Sequence, residues 1–146
     1  MTEDLIRAPA VHLFALVAML LVIKMMLVGG YTSVLRIRRR VYATPEDYRL
    51  QGLATRGTVD DEVERVRRAH RNDLENILPF LAVGFLYALT GPSPFAARVY
   101  FLGFLAARVL HSVFYIGGMQ PHRTIAFGIG AVLLFAMVVT TLGKLV

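Results

Sequence analysis

Two clusters of polar residues interrupt an otherwise apolar chain, and both have helical spacing. In the first, Arg68, Asn72 and Glu75 stand at i, i+4 and i+7, while Arg71 precedes Glu75 by four positions, so the two sets share adjoining stripes. In the second, Arg108, His111, Ser112 and Tyr115 stand at i, i+3, i+4 and i+7. Arg36 closes one apolar stretch and the pair Arg123-Thr124 opens another. Guanidinium groups grip carboxylates and phosphates through paired hydrogen bonds and can stabilise a developing anion. Arg36, Arg68, Arg71, Arg108 and Arg123 exceed the one obvious counter-charge, Glu75, so the chemistry implied is the holding of a small polyanion.

The chain has no cysteine. That excludes disulfides, thiolate metal sites and a protein-borne thiol nucleophile, no metal ligands are expected, and any thiol chemistry must borrow its thiol. Glutathione would satisfy the polar set, with two carboxylates for the arginines, an ammonium for Glu75 and the missing thiol. A phosphorylated lipid headgroup would satisfy part of it.

These residues have to be positioned by membrane-spanning helices. Hydrophobic residues make up 56% of the 146 and mean hydropathy is +0.58, which excludes an ordinary soluble domain. Four stretches approach the length of a span, 9–31, 71–90, 95–116 and 124–143. The expected fold is all-α, one domain over residues 1–146, with helices at about 9–35, 60–90, 94–116 and 123–144 and a cytoplasmic loop at about 36–59. The first stretch is expected to stay as a helix, because Glu3 and Asp4 spoil the basic segment of a cleavable leader.

Of the sixteen basic residues, ten lie between Arg36 and Arg71, which marks that side as cytoplasmic and places both termini on the other. The net charge of +6 therefore reflects membrane topology rather than nucleic-acid binding. Lys24, inside the first helix, is expected to reach towards the interface. Thr44-Pro45-Glu46-Asp47 predicts a short helix, and Thr58-Val59-Asp60-Asp61 has capping-box spacing for a longer one. Gly91-Pro92-Ser93-Pro94 predicts a tight turn between antiparallel neighbours. Pro79 removes an amide donor beside Glu75 and predicts a kink with a freed carbonyl. The expected partner of Arg108 is Glu75, and His70 is expected to form a surface pair with Asp73.

The segment from Glu64 to Phe80, with Thr44-Pro45-Glu46-Asp47, Gly91-Pro92-Ser93-Pro94-Phe95, Arg108-Val109-Leu110-His111, Tyr115 and Pro121-His122-Arg123, resembles the MAPEG family, the membrane-associated proteins in eicosanoid and glutathione metabolism. The resemblance covers nearly the whole chain. The branches it resembles are the microsomal glutathione transferase and the microsomal prostaglandin E synthase. It implies a homotrimer of four-helix subunits in the endoplasmic reticulum or a bacterial inner membrane, with glutathione between neighbours on the cytoplasmic side.

By the same resemblance Arg36, Arg71, Asn72, Glu75, His111, Tyr115 and Arg123 match glutathione-contacting positions, Arg108 a supporting network, and Asp47 an acid near the synthase active site. Arg68 is counted with the glutathione-binding set on its place in the polar stripe. Arg123 is the expected thiolate-activating residue, because a helix N-terminus adds its own positive end, and Thr124 is a candidate hydrogen-bond donor. Two positions depart from the synthase pattern: Thr124 replaces Ser, and Phe127 replaces Tyr and matches the transferase branch. The function implied is a membrane glutathione transferase, and possibly peroxidase, acting on hydrophobic or lipid-derived electrophiles. The alternatives are a glutathione-dependent prostaglandin isomerase and a non-catalytic lipid-binding member of the fold.

Overall fold

The computed structural model describes residues 8–55 and 60–146, and among them the regular structure is entirely helical. The helices are α1 (Pro9–Arg39), α2 (Pro45–Leu50), α3 (Asp61–Leu89), α4 (Pro94–Ile116) and α5 (His122–Leu145). Residues 1–7 and the Thr58-Val59 half of the anticipated capping box lie outside the described residues. The start of α3 is set by Asp60, whose carboxylate accepts from the Glu62 and Val63 amides at 3.1 and 3.0 Å. Thr44 caps α2 and Ser93 caps α4, each followed by proline at the first helical position, where a missing N–H is harmless. The turn before α4 needs Gly91, at φ +62°.

Three helices, α1, α4 and α5, are long and apolar enough to cross a membrane, and the protein is an integral membrane protein. Their outward faces carry large apolar groups such as Met26, Leu27, Val132 and Phe135, each more than two-thirds exposed on the single chain. In water such a surface would aggregate; in lipid it is solvated. At 29 residues α3 is about 43 Å long, yet its first half is too charged for it to join them by composition. It runs through Pro79 as one helix and packs on α1, α4 and α5, while the α1 and α5 backbones are not neighbours.

The core follows from the stripes. Phe14, Leu21, Ile77, Phe80, Phe101, Phe104 and Met137 are buried together, and the Phe80 and Phe104 rings stack with centroids 4.2 Å apart. A second cluster of Val28, Leu35, Val63, Val66 and Ala69, with Tyr115 and Ile116 against it, ties the end of α1 and the start of α3 to the end of α4. Three helix ends are thereby held at one side of the molecule, as the topology read from the charges requires.

Candidate active site

The polar stripe of α4 faces α3. Arg108, His111 and Ser112 are buried and Tyr115 is half-buried. Arg108, 1% exposed, donates from Nη2 to Asn72 Oδ1 at 2.7 Å and to Asp73 Oδ1 at 2.9 Å. Its acid is therefore Asp73, not Glu75. The register explains the correction: Val66, Ala69, Asp73, Ile77 and Phe80 recur at steps of three and four and are all buried, whereas Glu75 lies two residues round the helix from that stripe. His70 does not pair with Asp73 at the surface. Its ring lies against Gly29 of α1, so close that a Cβ there would sit 3.2 Å from Cε1.

Lys24 does not reach for the interface. It is half-buried on the face of α1 between the buried Leu21 and Val28, and its Nζ lies 2.5 Å from both Asp73 Oδ1 and Ser112 Oγ. Ser112 also donates to Asp73 Oδ2 at 3.3 Å. A cation at bilayer depth is costly unless it turns inward to a partner, and Asp73 is that partner. Sequence reasoning missed both Lys24 and Asp73, although their places in the apolar periodicity marked them as facing inward.

At the start of α5 the Arg123 guanidinium lies 4.5 Å from the centroid of the Tyr115 ring. With the Gln120 amide oxygen turned towards it, Arg123 donates to that oxygen from Nη2 and Nε at 2.6 and 3.1 Å, and the Gln120 amino group donates to Thr124 Oγ1 at 3.0 Å. His111 is joined to the same residue by its Nδ1, 3.0 Å from the Arg123 carbonyl. A carbonyl only accepts, so Nδ1 carries a hydrogen, and in the neutral ring Nε2 offers a lone pair. That Nε2 is buried and has no partner among the described residues. The Phe127 ring closes the other side, 5.8 Å from His111.

On α3, Arg71 donates from Nε to Glu75 Oε1 at 3.1 Å, with the two side chains 80% and 57% exposed. Arg67, Arg68 and Arg71 line a shallow cleft of about 130 Å³. Asn72 is half-buried between this exposed face and Arg108. Arg36 is half-buried at the same end of the molecule, beside Leu35 of the second core cluster. Thr124 is exposed. The structure thus joins His111, Tyr115, Arg123 and Thr124 in one group and Asn72 and Arg108 in another, linked through α4. It leaves Arg68, Arg71 and Glu75 on an open face and makes no hydrogen bond or ion pair between Asp47 and any of them.

A family model described as the MAPEG family matches residues 14–143. The chain belongs to the MAPEG family. This MAPEG chain is 45% identical over 121 residues to prostaglandin E synthase from Homo sapiens, covering 82% of the chain and 80% of the relative. It is 42% identical over 125 residues to prostaglandin E synthase from Bos taurus, covering 85% and 82%. It is 44% identical over 122 residues to microsomal glutathione S-transferase 1 from Homo sapiens, covering 80% and 79%. The MAPEG match spans both polar clusters and takes in α3 and α4 whole and most of α1 and α5.

Proposed function

We propose that this MAPEG protein is a membrane glutathione transferase that activates the glutathione thiolate for attack on hydrophobic electrophiles, with reduction of lipid hydroperoxides as a second activity of the same nucleophile. The observation that carries this reading is the arrangement at the start of α5, where the Arg123 guanidinium is held over Tyr115 and beside Gln120 at a helix N-terminus. A free thiol with a pKa of about 8.5 is only a few per cent ionised at pH 7, and lowering it by two units needs about 2.7 kcal/mol. A guanidinium in a site closed to water supplies stabilisation of that size. In conjugation the sulfur–carbon bond forms as a halide leaves, or as an activated alkene takes up the proton.

In this reading glutathione is held by Arg36, Arg68, Arg71, Asn72, Glu75, His111 and Tyr115, with Arg108 behind Asn72, while Arg123 and Thr124 face the sulfur. Arg68, Arg71 and Glu75 lie open on the single chain. A pocket there needs a second wall, which a neighbouring copy provides in a homotrimer of four-helix bundles, all four long helices spanning the bilayer and both termini on the non-cytoplasmic side. Asp47 stands at the rim of the cytoplasmic loop.

The second reading, a glutathione-dependent prostaglandin isomerase, is favoured by the relatives bearing that name. Phe127 opposes it, because it presents no hydroxyl beside His111. Turnover by the purified protein separates the two. The proposal expects conjugation of an aryl halide and reduction of a lipid hydroperoxide; product formed only from an endoperoxide would favour the isomerase, and no turnover of any of the three would refute both.

A further inference from the structure

The cluster of Lys24, Asp73, Arg108 and Ser112 is not explained by holding glutathione or by activating its thiol. Its charges do not cancel, since two cations share one carboxylate. Its hydrogen bonds do not close either. Arg108 uses Nη2 for both Asn72 and Asp73, while its buried Nε and Nη1 have no acceptor among the described residues. An arginine and a carboxylate left to themselves form a two-pronged pair, and burying guanidinium donors without partners costs free energy. Lys24 and Ser112 share the carboxylate with Arg108: Lys24 Nζ is on Asp73 Oδ1, the same oxygen that Arg108 reaches, and Ser112 Oγ lies 3.3 Å from Oδ2 and 3.4 Å from Oδ1.

We propose that Lys24 is a positioning residue: sharing Asp73 Oδ1 with Arg108, while Ser112 holds Oδ2, it keeps the carboxylate from neutralising Arg108 alone and leaves one uncompensated positive charge beside the Arg108–Asn72 hydrogen bond. The proposal rests on the glutathione reading above. Without the ammonium, Asp73 and Arg108 neutralise each other and the surplus charge beside Asn72 is gone. A surplus positive charge in a weakly polar interior favours any nearby anion, carboxylate or thiolate, over its protonated form. Lys24 acts through Asp73, Ser112 and Arg108.

The test uses the purified full-length protein in detergent, measuring glutathione affinity and the pH titration of the bound thiolate, with thermal unfolding alongside. Lys24→Met is expected to weaken glutathione binding about tenfold, the loss of roughly one charge-assisted hydrogen bond, and to move the thiolate titration to higher pH. Lys24→Arg keeps the charge and is expected to stay within about threefold of wild type. Lys24→Gln keeps a donor for Asp73 without the charge and is expected to behave like Lys24→Met, which decides the matter if the methionine variant does not assemble. Affinity and titration unchanged in the uncharged variants would overturn the proposal, whatever happens to stability. Wild-type protein that binds no glutathione would overturn the function itself, and this proposal with it.

Discussion

At the scale of single residues, the interior is organised by a carboxylate that the motif led past. Asp73 is fully buried and serves Lys24, Arg108 and Ser112, whereas Glu75 stays at the surface with Arg71. The two acids should therefore respond differently to loss of charge. Asp73→Asn leaves a buried and a half-buried cation facing a neutral amide and is expected to destabilise the protein by about 3–5 kcal/mol, read as a clear fall in unfolding temperature in detergent. Glu75→Gln is expected to leave that temperature within error, since exposed pairs contribute about 0–1 kcal/mol, but to weaken glutathione binding about tenfold. Equal thermal losses in both variants would contradict the burial described here. The stripe from Arg108 to Tyr115 was legible because its spacing is purely local. The partner of Arg108 was not, because the choice between Asp73 and Glu75 turns on which face of α3 meets α4, and only the buried apolar register records that.

At the scale of elements, α3 is the axis on which α1, α4 and α5 pack, although it is the long helix least apolar by composition. Caps and turns carry local chemistry, and Thr44-Pro45 and Ser93-Pro94 open α2 and α4 with a capping side chain and a first-turn proline. Inter-helix distances were not legible, because they depend on which small residues face which large ones. Gly84 shows this: a Cβ there would come within 2.8 Å of Phe14 Cε2, in a core already filled by Phe80 and Phe101. Gly84→Ala is therefore expected to lose about 1–3 kcal/mol through overpacking. Gly30→Ala, with nothing within 4 Å of its added Cβ, is expected to hold or gain stability. Thermal unfolding of the two variants side by side checks this, and a harmless Gly84→Ala would show that α1 and α3 are farther apart than described.

At the scale of the whole molecule, composition and charge asymmetry were enough to read an integral membrane protein, because the bilayer imposes length and hydropathy on every span. The proposed homotrimer is not encoded so plainly, since a surface that meets lipid and one that meets another copy are both apolar. Its expected mark is polar: among the described residues the open Arg68, Arg71 and Glu75 face has no second wall. Native mass measurement is expected to give three copies, and a monomer that binds glutathione at full affinity would contradict the shared pocket. The most direct measurement is the ultraviolet absorbance of glutathione thiolate on the purified protein, followed as pH is lowered through 7. Wild type is expected to keep the thiolate about two units below the free thiol's pKa of about 8.5, and Arg123→Ala to return the titration towards the free value. No thiolate on wild type, or an unchanged titration in Arg123→Ala, would contradict activation at the start of α5.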